Sequence, residues 1–201
     1  MFDVLVIGGG VAGMQCALIL GSAYQKGFAK DKKIGIIAHQ KASHLQSAEL
    51  NNVIGLSPKT NGADVLNKSK THLAQSFPHI KQIEKEKVHK VVRSDDHFII
   101  STNRSSYKSR LVVIALGYTN FFNIEGLNEY LEPHQLSNPE KERIQLKNTN
   151  HLVEEGIYVA GTLAGWRSQF AIAAGSGAQV ATDILTLWND GKHAHVHDKL
   201  D

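Results

Sequence analysis

The chain has 201 residues, 42% of them hydrophobic and 20% charged. This is enough for about one to one and a half globular domains with a real core, and it excludes a disordered tail, a collagen-like chain and a disulfide scaffold. The net charge of +3 leaves 22 basic residues spread along the chain against 19 acidic ones, which is no nucleic-acid footprint, and the single cysteine, Cys16, excludes an internal disulfide and the usual thiolate metal cage.

The chain opens on Met1-Phe2-Asp3-Val4-Leu5-Val6-Ile7. This reads as a buried strand over residues 2–7, because a signal peptide needs a basic start and a longer apolar run. No uninterrupted run of about 18 apolar residues follows, so no membrane span is expected and a cytoplasmic protein is. Residues 11–28 place Ala, Met, Leu and Ile at helical spacing, and residues 33–38 form a second buried strand. Strand, helix and strand in so short a stretch predict a right-handed βαβ unit. Residues 57–62 are a loop. Residues 62–77 read as a helix with Asp64 in its first turn, stopped by Pro78.

Residues 81–90 are a mixed charge run, expected at a solvated strand edge. Residues 88–93 and 97–102 are two strands around Ser94-Asp95-Asp96. Tyr107 and Arg110 flank a third short segment, and residues 111–116 form a buried strand ending at Gly117. A small antiparallel meander is thus expected between parallel strands. Residues 118–145 hold two of the four prolines, several Asn and the charge cluster 140–143, and predict a long connection with little core. Residues 157–160 read as the last buried strand and 169–188 as an Ala-rich helix. One domain is expected over residues 1–190, followed by a polar tail, 191–201. In that tail His193, His195 and His197 alternate. An extended chain would put them on one face fit for a metal; a frayed terminus would leave them solvated, and this is the default.

Gly8-Gly9-Gly10-Val11-Ala12-Gly13 fits G-x-G-x-x-G between a strand and a helix. Gly8 permits the tight turn, Gly10 lets backbone approach a pyrophosphate, and Gly13 lets helix pack on strand. The N–H groups of the helix start, Val11 and Ala12 among them, then face the anion. A carboxylate at the end of the second strand would hold a ribose. That strand ends Ile36-Ile37-Ala38-His39-Gln40 and supplies none, so either His39, Gln40 or backbone takes the task or the adenosine is held more weakly.

Leu111-Val112-Val113-Ile114-Ala115-Leu116-Gly117 resembles the apolar strand ending in Ala-Thr-Gly of two-dinucleotide-binding flavoproteins. Gly156-Ile157-Tyr158-Val159-Ala160-Gly161-Thr162 resembles their Gly-x-Tyr-x-Ala-Gly-Asp. Gln169-Phe170-Ala171 and Ala174-Gly175-Ser176-Gly177 resemble the helix start of thioredoxin reductases. Asn51-Asn52-Val53-Ile54-Gly55-Leu56 is similar to their Glu-Asn-Trp-Pro-Gly, and Val88-His89-Lys90-Val91 stands where their adenine-contacting strand lies. The order matches too. The resemblance implies an α/β, Rossmann-like three-layer domain that binds FAD, with a parallel sheet and a small β-meander.

It implies the cofactor contacts Gly8, Gly10, Val11, Ala12, Gly13, His39, Asn52, Val88, Ala115, Gly117, Gly161, Thr162, Gln169, Phe170 and Ala171. A compact FAD oxidoreductase is then expected to take electrons from free NAD(P)H or a redox partner protein, and a homodimer is expected because the missing second domain would leave apolar surface near the 118–145 connection. The departures are as informative. The interval after Gly117 is too short for the family's NADPH domain, Cys-x-x-Cys is missing, and Thr162 replaces Asp. Cys16 is expected to be an inert core thiol. Trp166 and Arg167 precede the last helix and either face a substrate or serve surface and packing. A non-catalytic module holding FAD, NAD or ADP, or a subunit of a larger redox complex, is the competing expectation.

Overall fold

The computed structural model describes residues 1–39, 43–119, 121–194 and 196. Its elements run β1 (Phe2–Ile7), α1 (Val11–Ser22), β2 (Ile34–Ala38), β3 (Glu49–Leu50), β4 (Thr60–Asn61), α2 (Gly62–Ser76), β5 (Lys81–Glu84), β6 (Val88–Ser94), β7 (His97–Thr102) and β8 (Ser106–Ile114). Then come β9 (Leu131–Pro133), β10 (Ile144–Leu146), β11 (Leu152–Glu154), β12 (Ile157–Val159) and α3 (Phe170–Trp188).

The main sheet has the order β11-β12-β8-β1-β2-β5, with β6 and β7 carried on the outer half of β8. From β12 to β5 every pair is parallel. Period-2 alternation divides the sheet between two cores. Val4 and Val6 face one side, where α1, α3 and Leu73 of α2 pack on them. Leu5 and Ile7 face the other, under the meander and the 124–146 segment. The helices therefore cover one face, and the meander covers the second. The sequence predicts covering of both sides by helices together with the meander; the meander, with β6 and β7 alternating in burial, holds the second face without a helix.

The meander's third segment and the buried strand at 111–116 are one nine-residue strand, β8. Its first half pairs antiparallel with β7 and its second half parallel with β1. The hydrophobic pattern changes midway from alternating to continuous, which reads as two strands but is one strand passing from a half-solvated to a fully covered setting. The charge run beginning at Lys81 does form the sheet edge, pairing parallel with β2, but only over β5.

α1 stops at Ser22, well short of residue 28. The Ser22 hydroxyl donates back to the Ile19 carbonyl, a 3-10 turn follows at Ala23–Gln25, and Lys26 is extended. Gly21 lies where a Cβ would come within 2.7–2.9 Å of Phe77 and Ile80, so helix α1 crosses the exit of α2 at close range. α2 begins as expected: Asn61 accepts from the Ala63 amide at 2.8 Å, and Asp64 sits in the first turn.

The largest correction concerns residues 118–145. Ile124, Leu127 and Leu146 are buried in the second core, and His134 and Gln145 are buried beside them. β9 and β10 form a hairpin, and the Gln145 amide donates to Glu132 at 2.7 Å. The segment is built structure. Its buried apolar residues, Ile124, Leu127 and Leu146, are too irregularly spaced to give a periodic pattern.

α3, at 19 residues, is the one described helix with the length and apolarity of a membrane span. Its Ser176, Gly177, Val180, Ala181, Ile184 and Leu185 are buried. Of these, Val180, Ala181, Ile184 and Leu185 join the core shared with α1, as an internal helix of this fold requires. His195 and His197 lie outside the described residues. Among the described residues no group of three or more His, Cys, Asp or Glu can hold a metal.

Candidate functional site: a cavity at the carboxyl ends of the strands

β1, β2, β8 and β12 all end at one edge of the sheet, and a cavity of about 290 Å³ opens there. The order of their ends follows from the order of the strands: Gly161 and Thr162 after β12, Gly117 after β8, the glycine turn after β1, His39 after β2. The crevice lies between β1 and β8, whose connections run in opposite directions, from β1 toward β2 and from β8 toward β12, the position at which open α/β sheets bind ligands.

Each glycine of the first turn has a separate task. Gly8 has φ of +120°, and a Cβ there would lie 2.2 Å from the Ala115 carbonyl oxygen. A Cβ on Gly13 would lie 1.9 Å from the Gly8 oxygen, so that glycine lets α1 settle on the turn and does not itself line the cavity. Gly10 differs: it caps α1 with φ of −75°, and a Cβ there would find only the Ser43 hydroxyl, at 3.9 Å. The space in front of Gly10 belongs to the cavity.

Two helices point their amino ends into this space. α1 starts behind Gly10 and α3 behind Gln169, and neither start carries a side-chain cap. An α-helix leaves the amides of its first turn without helical acceptors. Those donors and the positive ends of both dipoles therefore face the cavity. Among the described residues no Asp, Glu, Lys or Arg stands in the lining. None of these residues is a carboxylate that would repel an anion, and backbone amides are its natural partners. The Gly161 amide donates to the buried Ser176 hydroxyl at 2.7 Å, which ties the turn after β12 to α3.

Of the sequence-predicted contacts, Gly8, Gly10, Val11, Ala12, His39, Asn52, Ala115, Gly117, Gly161, Thr162, Gln169 and Phe170 line the cavity together. Ala171 does not. Its side chain is exposed, and its place in the first turn of α3 leaves it a backbone role. Val88 does not line it either. It is buried in the second core, because β6 alternates and its first residue points into the sheet. Gln40 lies outside the described residues. Asn51 turns away to Glu49 and the Lys59 amide, leaving Asn52 at the cavity.

Sequence reasoning misses Ser43, His44, Leu45, Leu116, Tyr118 and Ser168 as lining residues. The available signal is Ser43, a cap that accepts from the Leu45 amide at 3.3 Å. Trp166 stacks on His151 at 5.8 Å and, like Arg167, stays out of the lining. Cys16 is fully buried, and burial pushes its thiol up to about 12. It supplies no thiolate for disulfide exchange.

The fold and the site define a dinucleotide-binding α/β protein. Residues 2–162 match the pyridine nucleotide-disulphide oxidoreductase family, and the chain belongs to that family. No curated protein matches the chain. Among solved structures it is similar to a thioredoxin reductase from Gloeobacter violaceus, at 15% identity and TM-score 0.71, over 100% of this chain and 98% of that one. A ferredoxin-flavin thioredoxin reductase from Clostridium acetobutylicum is similar at 15% identity and TM-score 0.68, over 94% and 98%. The thioredoxin reductase of Lactococcus lactis is similar at 12% identity and TM-score 0.68, over 94% and 100%. At these identities the likeness is one of fold.

Proposed function

We propose that the chain is a FAD-binding oxidoreductase. The observation that carries this reading is the open space in front of Gly10, between two helix starts without side-chain caps, in a lining whose described residues include no Asp, Glu, Lys or Arg. A diphosphate needs that space and those amides. The residues present fit FAD: Gly10, Val11 and Ala12 would hold the pyrophosphate, His39 the adenosine side, Thr162 the ribityl chain, and Asn52 and the start of α3 the flavin ring. Bound FAD would supply the redox chemistry. The chain would supply orientation, and the α3 dipole would favour negative charge on the ring. Electrons would come from free NAD(P)H or a redox partner, since the lone thiol is buried.

The test is the visible spectrum of the purified protein, alone and after incubation with FAD, then under anaerobic addition of NADPH or NADH. Flavin absorbance that bleaches supports the reading. Failure to take up FAD, with a larger thermal stabilisation by NAD or ADP, would replace it with a non-catalytic nucleotide module.

Thr162 gives a sharper test. It lines the cavity and is half-buried, so a carboxylate placed there would stay hydrated and ionised. Thr162→Asp is expected to add a charge-assisted hydrogen bond to a ribityl hydroxyl, worth about 1–3 kcal/mol, and to tighten FAD about tenfold to a hundredfold. Titration of the apoprotein with FAD reads this directly. Unchanged or weaker binding places the ribityl chain elsewhere.

Self-association is part of the same reading. Phe121, Leu136, Leu152 and Trp166 are exposed on or beside the 118–146 segment, and apolar surface of that kind is ordinarily covered by a second copy. Sedimentation equilibrium should give twice the chain mass. A monomer at high concentration removes the expectation.

A further inference from the structure

Tyr118 follows β8 directly and lines the cavity. Strand order puts it between Thr162, after β12, and the glycine turn, after β1; His39, after β2, lies beyond the turn. A dinucleotide with its pyrophosphate over the turn and its adenosine toward His39 extends its other half past Tyr118.

Three groups brace this ring. His44 meets it edge-on at 5.7 Å and His134 at 5.3 Å, and the Arg143 guanidinium lies 5.0 Å above its centre. The backbone is held as well, because the Ile144 amide donates to the Tyr118 carbonyl at 3.1 Å. His134 is itself locked. Its Nδ1 accepts from the Leu136 amide at 3.2 Å, so its Nε2–H donates to the Trp166 carbonyl at 3.3 Å. Arg143 has no ion-pair partner within 4.0 Å among the described residues, and its Nε is buried without an acceptor. Its interaction with the ring is thus left to hold it. Ile124, Leu127 and Leu146, buried in the second core, fix the segment that carries this support.

We infer that Tyr118 is a positioning residue for the flavin ring: the 118–146 segment presses it against the isoalloxazine and closes that side of the cavity. This deepens the FAD reading and rests on it. A planar phenol held by three neighbours offers a preorganised face for an aromatic ligand, with little rotamer freedom left to lose on binding. Arg143 behind the ring adds positive charge on the flavin side without entering the cavity.

The test is the fluorescence lifetime of bound FAD in wild type, Tyr118→Phe, Tyr118→Trp and Tyr118→Ala proteins. All are made in a Trp166→Phe background, which removes the exposed indole next to Ser168. An excited isoalloxazine takes one electron from an adjacent phenol or indole and returns it without emission. A phenyl ring does not donate. Tyr118→Phe should keep FAD affinity and lengthen the lifetime several-fold, Tyr118→Trp should remain dark, and Tyr118→Ala should bind FAD about tenfold more weakly. A merely structural role would move stability and leave the Tyr–Phe difference in lifetime at zero. Equal lifetimes in the Tyr118 and Tyr118→Phe proteins, both loaded with FAD, overturn the inference and leave the FAD reading standing. A protein that takes up no FAD overturns both.

Discussion

Gly10→Val is expected to fold like the wild type and to lose FAD. The new Cβ meets only the Ser43 hydroxyl, at 3.9 Å, and the backbone φ of −75° suits any residue. Gly10 is also an N-cap without a side-chain bond, so valine removes no cap and costs the fold no more than about 1 kcal/mol. The two γ-methyls project into the cavity, where the pyrophosphate would approach the α1 amides. FAD affinity should drop by about a hundredfold or more, since each 1.4 kcal/mol is tenfold. Thermal melts with and without FAD separate the two effects: the melting temperature without FAD falls by no more than about 4 °C, and the shift on adding FAD vanishes. A retained shift would place the diphosphate elsewhere.

Gly177→Val is expected to do the reverse and damage the fold whether or not FAD is present. A Cβ on Gly177 would lie 2.0 Å from the Ala12 carbonyl oxygen, 2.8 Å from its carbonyl carbon and 3.0 Å from its Cα. All three are backbone, so no rotamer relieves the contact. α1 and α3 would have to separate, which opens the core around Val180, Ala181 and Ile184. Overpacking against rigid backbone costs about 3 kcal/mol or more, a large fraction of the stability of a domain this size. Urea denaturation should show a midpoint well below wild type. An unchanged midpoint would mean that the helices do not cross at this residue.

These two glycines show what is legible in the sequence and what is not. The strand and the glycine turn stand together within the first thirteen residues, so local pattern alone places β1, the start of α1 and the task of Gly10. β2, β12 and α3 are legible for the same reason: each is a short apolar run or an Ala-rich periodic stretch ending at a glycine or at polar residues. Gly177 looks like any other small residue on a helix. Its importance comes from the Ala12 carbonyl on a different helix, and no local pattern reports that distance.

Val88 stays out of the cavity lining because a resemblance transfers a position in the chain order but not the side to which a strand residue points. Tyr118 and His44 escape notice in the sequence because neither belongs to a periodic element. Both are placed by long-range packing, Tyr118 through the hydrogen bond to Ile144 and His44 through the Tyr118 ring. The 118–146 segment reads as loose because its buried residues are single plugs at irregular spacing. Periodicity in a sequence reveals apolar stripes, and isolated plugs leave no period to find.

β11 has a further consequence for what this fold can accommodate. β8 runs toward the cavity edge, and β12, parallel to it, begins at the opposite edge. β11 is antiparallel to β12, with Leu152 opposite Tyr158, so it starts back at the cavity edge. The chain therefore departs at Ala115 and returns near Leu152 on the same rim, two strands apart, or about 10 Å at the usual interstrand spacing. Two nearby ends on one rim form a docking port for inserted sequence, because lengthening a loop closed over a fixed short gap costs only about 0.6 kcal/mol per doubling. In this chain the sequence between those ends also covers the second face of the sheet, through Ile124, Leu127 and Leu146. An insert of another length that supplies apolar groups in place of these three can leave β1, β2, β8 and β12 in register while it rebuilds the wall that faces the cavity.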